Sequence, residues 1–142
     1  MLVEMELREI QITDDLTRHQ VIVLAEKDGR RAFPIYIGFW EASAMDQAVH
    51  GQKALRPMTH DLINNIIKEL GARLLEVRVD ELRDETFFGK LVVQKEDGEV
   101  VLVDSRPSDA LVLGAKNKVP IFVEEKVLRE VCREDHGEES EA

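Results

Sequence analysis

Apolar residues alternate along Val3, Met5 and Leu7, then resume at Ile10 and Ile12. The phase slips by one near Glu9, which predicts a bulged strand or two short ones. Thr13-Asp14-Asp15 is a turn signal. Val21 to Ala25 is an unbroken apolar run, the pattern of a buried strand. Asp28-Gly29 is a hairpin turn. A third strand runs from Ala32 to Ile37, where Pro34 points to an edge or a bulge. Trp40 to Val49 then reads as a helix with Ala42, Ala44, Met45 and Ala48 on one face, stopped by Gly51. Thr59 is placed to cap a second helix running to Leu70, with Leu62, Ile63, Ile66, Ile67 and Leu70 at helical spacing. Strands follow at Arg73–Leu82, Thr86–Lys95 and Glu99–Asp104. A third helix spans Pro107 to Lys116, with proline in the first turn where its missing N–H costs nothing. Val119–Val123 is a last strand and Glu125–Cys132 a last helix.

The resulting order is βββααβββαβα. Consecutive hairpins predict a mixed, largely antiparallel sheet with helices packed to one side, an α+β fold. Each half has three strands and a helix that begins directly after the third. Ile35 to Ala42 can be laid over Val101 to Ser108, the trace of an internal duplication.

Composition narrows this picture only in places. The chain has 142 residues, enough for one domain with a real core. Residues 1–133 are read as that domain and 134–142 as an acidic disordered tail. The net charge is −10; leaving out the tail's five acids sets 24 acids against 19 bases. An acidic body argues against broad nucleic-acid binding through counterion release. The single Cys132 has no partner for an internal disulfide, which suits a reducing compartment. No apolar run approaches the length of a membrane span, and the N-terminus lacks the apolar core of a secretion signal. The expected location is cytoplasmic, with no membrane partner.

The densest chemistry lies in Asp104-Ser105-Arg106-Pro107-Ser108-Asp109, at a strand-to-helix junction. Capping accounts for part of it: Ser105 at the helix start and Asp109 in the first turn complement unpaired N–H groups and the helix dipole. It does not account for an arginine flanked by two carboxylates and two hydroxyls. Arg106 can grip a phosphate or carboxylate through its planar fork. Asp104 and Asp109 can hold a divalent metal or act as base. A second cluster is Arg56-Pro57-Met58-Thr59-His60-Asp61. His60 at a helix N-terminus, where the dipole disfavours its charged form, can act as a base or ligand, or be a plain surface histidine. Glu41 reads first as an acid complementing its helix dipole. The sequence has no Gly-rich phosphate loop, His-Glu-x-x-His, Cys-x-x-Cys or Gly-x-Ser-x-Gly, so kinase, zinc-protease and dinucleotide chemistry are set aside. Phe87-Phe88 alternate across a strand and form no obvious base-stacking platform.

Four blocks occur in fixed order: Phe33-Pro34-Ile35-Tyr36-Ile37-Gly38, Glu41-Ala42, Arg56-Pro57-Met58-Thr59-His60-Asp61 and Asp104-Ser105-Arg106-Pro107-Ser108-Asp109-Ala110. In these the chain resembles the bifunctional nuclease family over about Met1 to Leu128. The resemblance implies an α+β domain that self-associates, a dimer first, and activity on DNA and RNA as described for plant members, which carry a further domain.

Two functions follow. One is a metal-dependent nuclease. Glu41, Asp61, Asp104 and Asp109 would hold Mg²⁺ or Mn²⁺; Arg56, Ser105 and Ser108 would bind substrate; His60, Asp104, Arg106 and Asp109 would be catalytic. The other is a non-enzymatic oligomeric module that binds a ligand or protein, in which the same arginines and aspartates form a structural ion-pair network.

Overall fold

A computed structural model describes residues 1–15, 17 and 19–132. The acidic segment 134–142, expected to be a disordered tail, lies outside the described residues. Ten elements follow the predicted order: β1 (Leu2–Gln11), β2 (Gln20–Glu26), β3 (Ala32–Ile37), α1 (Phe39–Val49), α2 (Thr59–Glu69), β4 (Arg73–Arg83), β5 (Thr86–Gln94), β6 (Val100–Ser105), α3 (Pro107–Asn117) and β7 (Ile121–Glu124). A further helix, α4, covers residues 125–132. Among the described residues no helix is long and apolar enough to cross a membrane.

All seven strands join one sheet in the order β3-β2-β1-β7-β4-β5-β6. Every pairing is antiparallel except β4 with β7. The sheet is therefore mixed and largely antiparallel, with the helices on one side. The slip near Glu9 is a bulge: register shifts between Leu7 and Glu9 while β1 continues against β2. Pro34 lies on β3, which is an edge strand, where a missing donor leaves no ladder bond unmade.

The two halves form two three-strand meanders, β3-β2-β1 and β4-β5-β6, at opposite ends of the sheet. Each outer strand feeds a helix. α1 leaves β3, α3 leaves β6, and the two pack against each other over the sheet. Their buried residues, Ala42, Met45 and Ala48 from α1 and Ala110 to Leu113 from α3, meet Ile22, Leu24, Phe33, Val77 and Val79 in one core.

Small residues set how close α3 lies. A Cβ on Gly114 would come 2.9 Å from Val77 Cγ2, so the helix rests against β4 there. A Cβ on Gly89 of β5 would meet the Arg106 carbonyl oxygen and Ser105 Oγ, both at 3.0 Å. The β6–α3 junction is thus pressed onto β5. α2 differs from the other two. None of its residues is fully buried, and Leu62, Ile66 and Leu70 are half exposed or more. Thr59, expected to cap this helix, is its first residue instead; Met58 is the cap and its N–H is accepted by Asp61 Oδ2 at 2.9 Å. The helix starts one residue early because a third-position carboxylate can reach back to the cap N–H.

Overpacking should show directly. Gly114→Val is expected to lower stability by about 2 kcal/mol, read as a lower urea midpoint with an unchanged slope.

Candidate functional site

Three helix N-termini meet on the helix side of the sheet. α1 brings Glu41, the third residue of its first turn. α2 brings His60 and α3 brings Asp109, with Arg106 as the residue that caps α3. Asp109 is the hub. Its Oδ1 accepts from His60 Nε2 at 3.1 Å and from Arg106 Nη2 at 3.0 Å, and its Oδ2 accepts from Arg106 Nε at 3.0 Å. Arg106 Nη1 reaches Glu41 Oε1 at 3.3 Å. Gly38 makes room for this arrangement, since a Cβ there would strike the Glu41 carboxylate.

The cluster opens into a cleft of about 320 Å³ lined also by Trp40, Ala44, Met58 and Lys116. Lys116 is held by Asp61 Oδ1 at 2.7 Å, so it forms a wall and not a free cation. The same ion pair, with Asn117 donating to Asn64, docks α2 onto the end of α3.

The electrostatics follow from these contacts. Burial pushes the Asp109 carboxyl up, but hydrogen bonds from Arg106 and His60 outweigh it and hold the carboxyl below its ordinary value. Asp61 is held low by the hydrogen bond from Lys116 and by the Met58 N–H. Arg106 is raised by its hydrogen bonds to Asp109 and then Glu41, against some burial. Because Asp109 accepts from Nε2, the proton of neutral His60 is assigned to that nitrogen and its lone pair to Nδ1. Nδ1 has no hydrogen bond among the described residues, and the ring lines the cleft.

Not every residue singled out in the sequence comes to this place. His60, Arg106, Asp109 and Glu41 converge. Asp104 does not: it pairs in register with Lys90, bonds Lys90 Nζ at 3.0 Å, and is 76% exposed by its side chain. Opposed residues of antiparallel strands share a face, so Asp104 stands one strand position away from the face that Ser105 and Val103 share. Ser105 donates to the Arg106 carbonyl and does not cap α3; Arg106 occupies the cap position. Ser108 is buried within α3 and is not offered to a ligand. Arg56 is exposed, with no hydrogen bond or ion pair among the described residues. Asp61 lies at a neighbouring cavity wall, committed to Lys116.

The four residues expected to hold a metal are therefore not one donor set. Asp104 and Asp61 each serve a lysine, and between Glu41 and Asp109 stands the Arg106 guanidinium. Among the described residues, no three His, Cys, Asp or Glu side chains are arranged to hold a metal ion. As arranged, the site does not fit Mg²⁺ or Mn²⁺. Trp40 was legible in the sequence only as a helix residue. Its neighbour Glu41 was the available signal, since Phe39-Trp40 places two bulky aromatics in the first turn directly before a site carboxylate.

The depressed Asp109 gives a pH prediction. A carboxyl held low in the folded state stabilises the fold above its unfolded value and loses that contribution as pH falls through the folded value. Asp109→Asn is expected to cost about 1.5 kcal/mol at pH 7. Chemical denaturation should show this gap narrowing below about pH 4.

A family model described as the bifunctional nuclease domain matches residues 22–135. An uncharacterized protein of Mycobacterium tuberculosis is 39% identical over 124 residues, covering 87% of this chain and 73% of that protein. Bifunctional nuclease 1 of Arabidopsis thaliana is 29% identical over 112 residues, covering 77% of this chain and 34% of the plant protein. Bifunctional nuclease 1 of Oryza sativa subsp. japonica is 21% identical over 122 residues, covering 84% of this chain and 37% of its own length. This chain thus spans about a third of the plant proteins it matches, and residues 22–135, which the family model matches, include Glu41, His60, Arg106 and Asp109. On that match, the chain belongs to the bifunctional nuclease domain family.

Proposed function

We propose that the cleft at the three helix N-termini hydrolyses phosphodiesters of DNA or RNA. The observation that carries this reading is the His60–Asp109 pair: an imidazole that lines an open cleft, oriented by a carboxylate and beside an exposed arginine. Arg106 spends three of its five N–H donors on Asp109 and Glu41, leaving two for a phosphate oxygen. A water oxygen attacks phosphorus and forms the new P–O bond. His60 Nδ1 takes the water's proton, and Asp109 stabilises the imidazolium that results. The opposite P–O bond breaks, and the leaving oxygen takes a proton from solvent. Arg106 opposes the charge that builds on the phosphoryl oxygens.

One observation favours a second reading. Asp109 already receives a bidentate arginine, and Glu41 faces the same guanidinium. A cluster so saturated can simply fix the three helices, as in a non-enzymatic ligand-binding module. The assay separates the two. With purified protein, His60→Ala and Arg106→Ala are each expected to lower kcat on single-stranded DNA or RNA at least about 100-fold. Both variants should keep the wild-type unfolding midpoint within a modest shift. EDTA should leave turnover in place; loss with EDTA and recovery with Mg²⁺ or Mn²⁺ would restore the metal-dependent reading. Activity unchanged in both variants would leave the cluster structural.

The partner we propose is a second copy of this chain. β6 is an edge strand with Val100, Leu102 and Val103 exposed, and it lacks the proline that marks the other edge at β3. Ile66 of α2 and Leu70, which caps that helix, lie across an apolar groove that they share with Val103. An unprotected apolar edge pairs readily with an equivalent strand, and antiparallel self-pairing is symmetric. Light scattering should give twice the chain mass, and Leu102→Asp should weaken self-association at least about tenfold, since a buried unpaired charge costs more than the ~1.4 kcal/mol that a factor of ten requires.

A further inference from the structure

Trp40 is the chain's only tryptophan, and it is 73% exposed. It sits in the first turn of α1, directly before Glu41, and stands edge-on to Phe39 with ring centroids 5.1 Å apart. It lines the same cleft as His60 and Arg106, where Ala44 and the half-exposed Met58 supply further apolar surface. An indole kept in water beside a charged cluster has no packing reason for its place, since burying it in the core would remove far more apolar area from solvent. The cleft therefore offers two unlike surfaces side by side: a flat aromatic plane and a single exposed guanidinium.

Charge decides what such a cleft can hold. The chain carries a net −10, and the two cations lining the cleft are Arg106 and Lys116, of which Lys116 is tied to Asp61. A polyanion cannot be gripped here along many phosphates. One phosphate on Arg106 is within reach, and the rest of the affinity has to come from an uncharged contact. Stacking of a base on an aromatic plane is such a contact, and every unpaired base has the face it needs. A base inside a duplex does not present that face.

We propose that Trp40 is the stacking platform for an unpaired nucleobase, so that the site selects single-stranded nucleic acid through one base on Trp40 and one phosphate on Arg106. This rests on the phosphodiesterase reading of the cleft and names its substrate class. Binding takes little counterion release. With one phosphate neutralised, log K should fall with log salt at a slope of about −0.7, far shallower than for proteins that track a backbone.

The only tryptophan is also the reporter. An adenine 12-mer, added as a single strand and as a duplex with its thymine complement, is titrated into His60→Ala protein while the indole fluorescence is followed. Saturable quenching is expected with the single strand and none with the duplex. In turnover with wild-type background, Trp40→Ala should raise KM for the single strand about tenfold and leave kcat within about threefold, as loss of one base stack requires. Trp40→Phe, which keeps an aromatic plane, should recover most of that KM. Wild-type KM in Trp40→Ala, equal quenching by single strand and duplex, or a salt slope of several units would each overturn the proposal. Cleavage that is normal in Trp40→Ala removes the stacking platform and leaves the hydrolytic site standing. Quenching by the single strand with no cleavage by wild-type protein removes the hydrolytic site and leaves the stacking platform.

Discussion

The insertion of β7 between β1 and β4 is the constraint on which the rest depends. Four residues pair antiparallel with β1 on one side, and three of them pair parallel with β4 on the other. Without this strand the two meanders share no edge. Parallel pairing needs a crossover, and α3 supplies it by returning the chain from the outer strand β6 to the centre of the sheet. The helix must lie flat and close for so short a return, and Gly114 against Val77 is how close it lies. The position of α3 is therefore fixed by the sheet, and Arg106 and Asp109 at its start are fixed with it.

The second constraint is the likeness of the two halves. Each outer strand feeds a helix that packs back over the sheet. α1 and α3 pack together, so their first turns come near each other and Glu41 meets Arg106 across 65 residues of chain. α2 is the addition that has no such frame. It makes few core contacts and is held at its start by Lys116 on Asp61 and by His60 on Asp109. The candidate site is thus both a chemical arrangement and the fastening of the least buried helix. Breaking Asp109 costs the fold and the site together, which is why a variant at Trp40, outside that fastening, reports on function more cleanly.

The ion pairs elsewhere show what a purely structural network looks like in this chain. Arg31 bridges Glu26 and Glu125, tying the β2–β3 hairpin to α4, and both acids are held low chiefly by hydrogen bonds from Arg31. Among the described residues, the side chain of Arg31 bonds carboxylates only and no imidazole. The Arg106 cluster differs by exposing its guanidinium, by including a histidine whose second ring nitrogen has no hydrogen bond among the described residues, and by standing beside an unburied tryptophan. Those three differences, and not the salt bridges themselves, set it apart as a site.

The local order of elements was determined by the sequence alone. Period-two alternation, the Asp-Gly hairpin, Pro34 and Pro107 each act within a few residues, so strand, helix and edge could be read from them. The bulge near Glu9 was legible for the same reason. Of the four polar residues that converge, Arg106 and His60 were visible as chemistry out of place at helix starts; Asp109 was partly explained by capping, and Glu41 read first as an acid complementing its helix dipole. What the sequence could not decide is which side of a strand each donor faces once its neighbours are chosen. Asp104 and Arg106 lie two residues apart and were read as one cluster, yet pairing with Lys90 turns Asp104 to the other face of the sheet. Asp61 and His60 are adjacent, yet one is taken by Lys116 and the other by Asp109. Tertiary packing made those choices, because ion pairs form between groups that the fold brings within about 4 Å, and no local pattern records that distance.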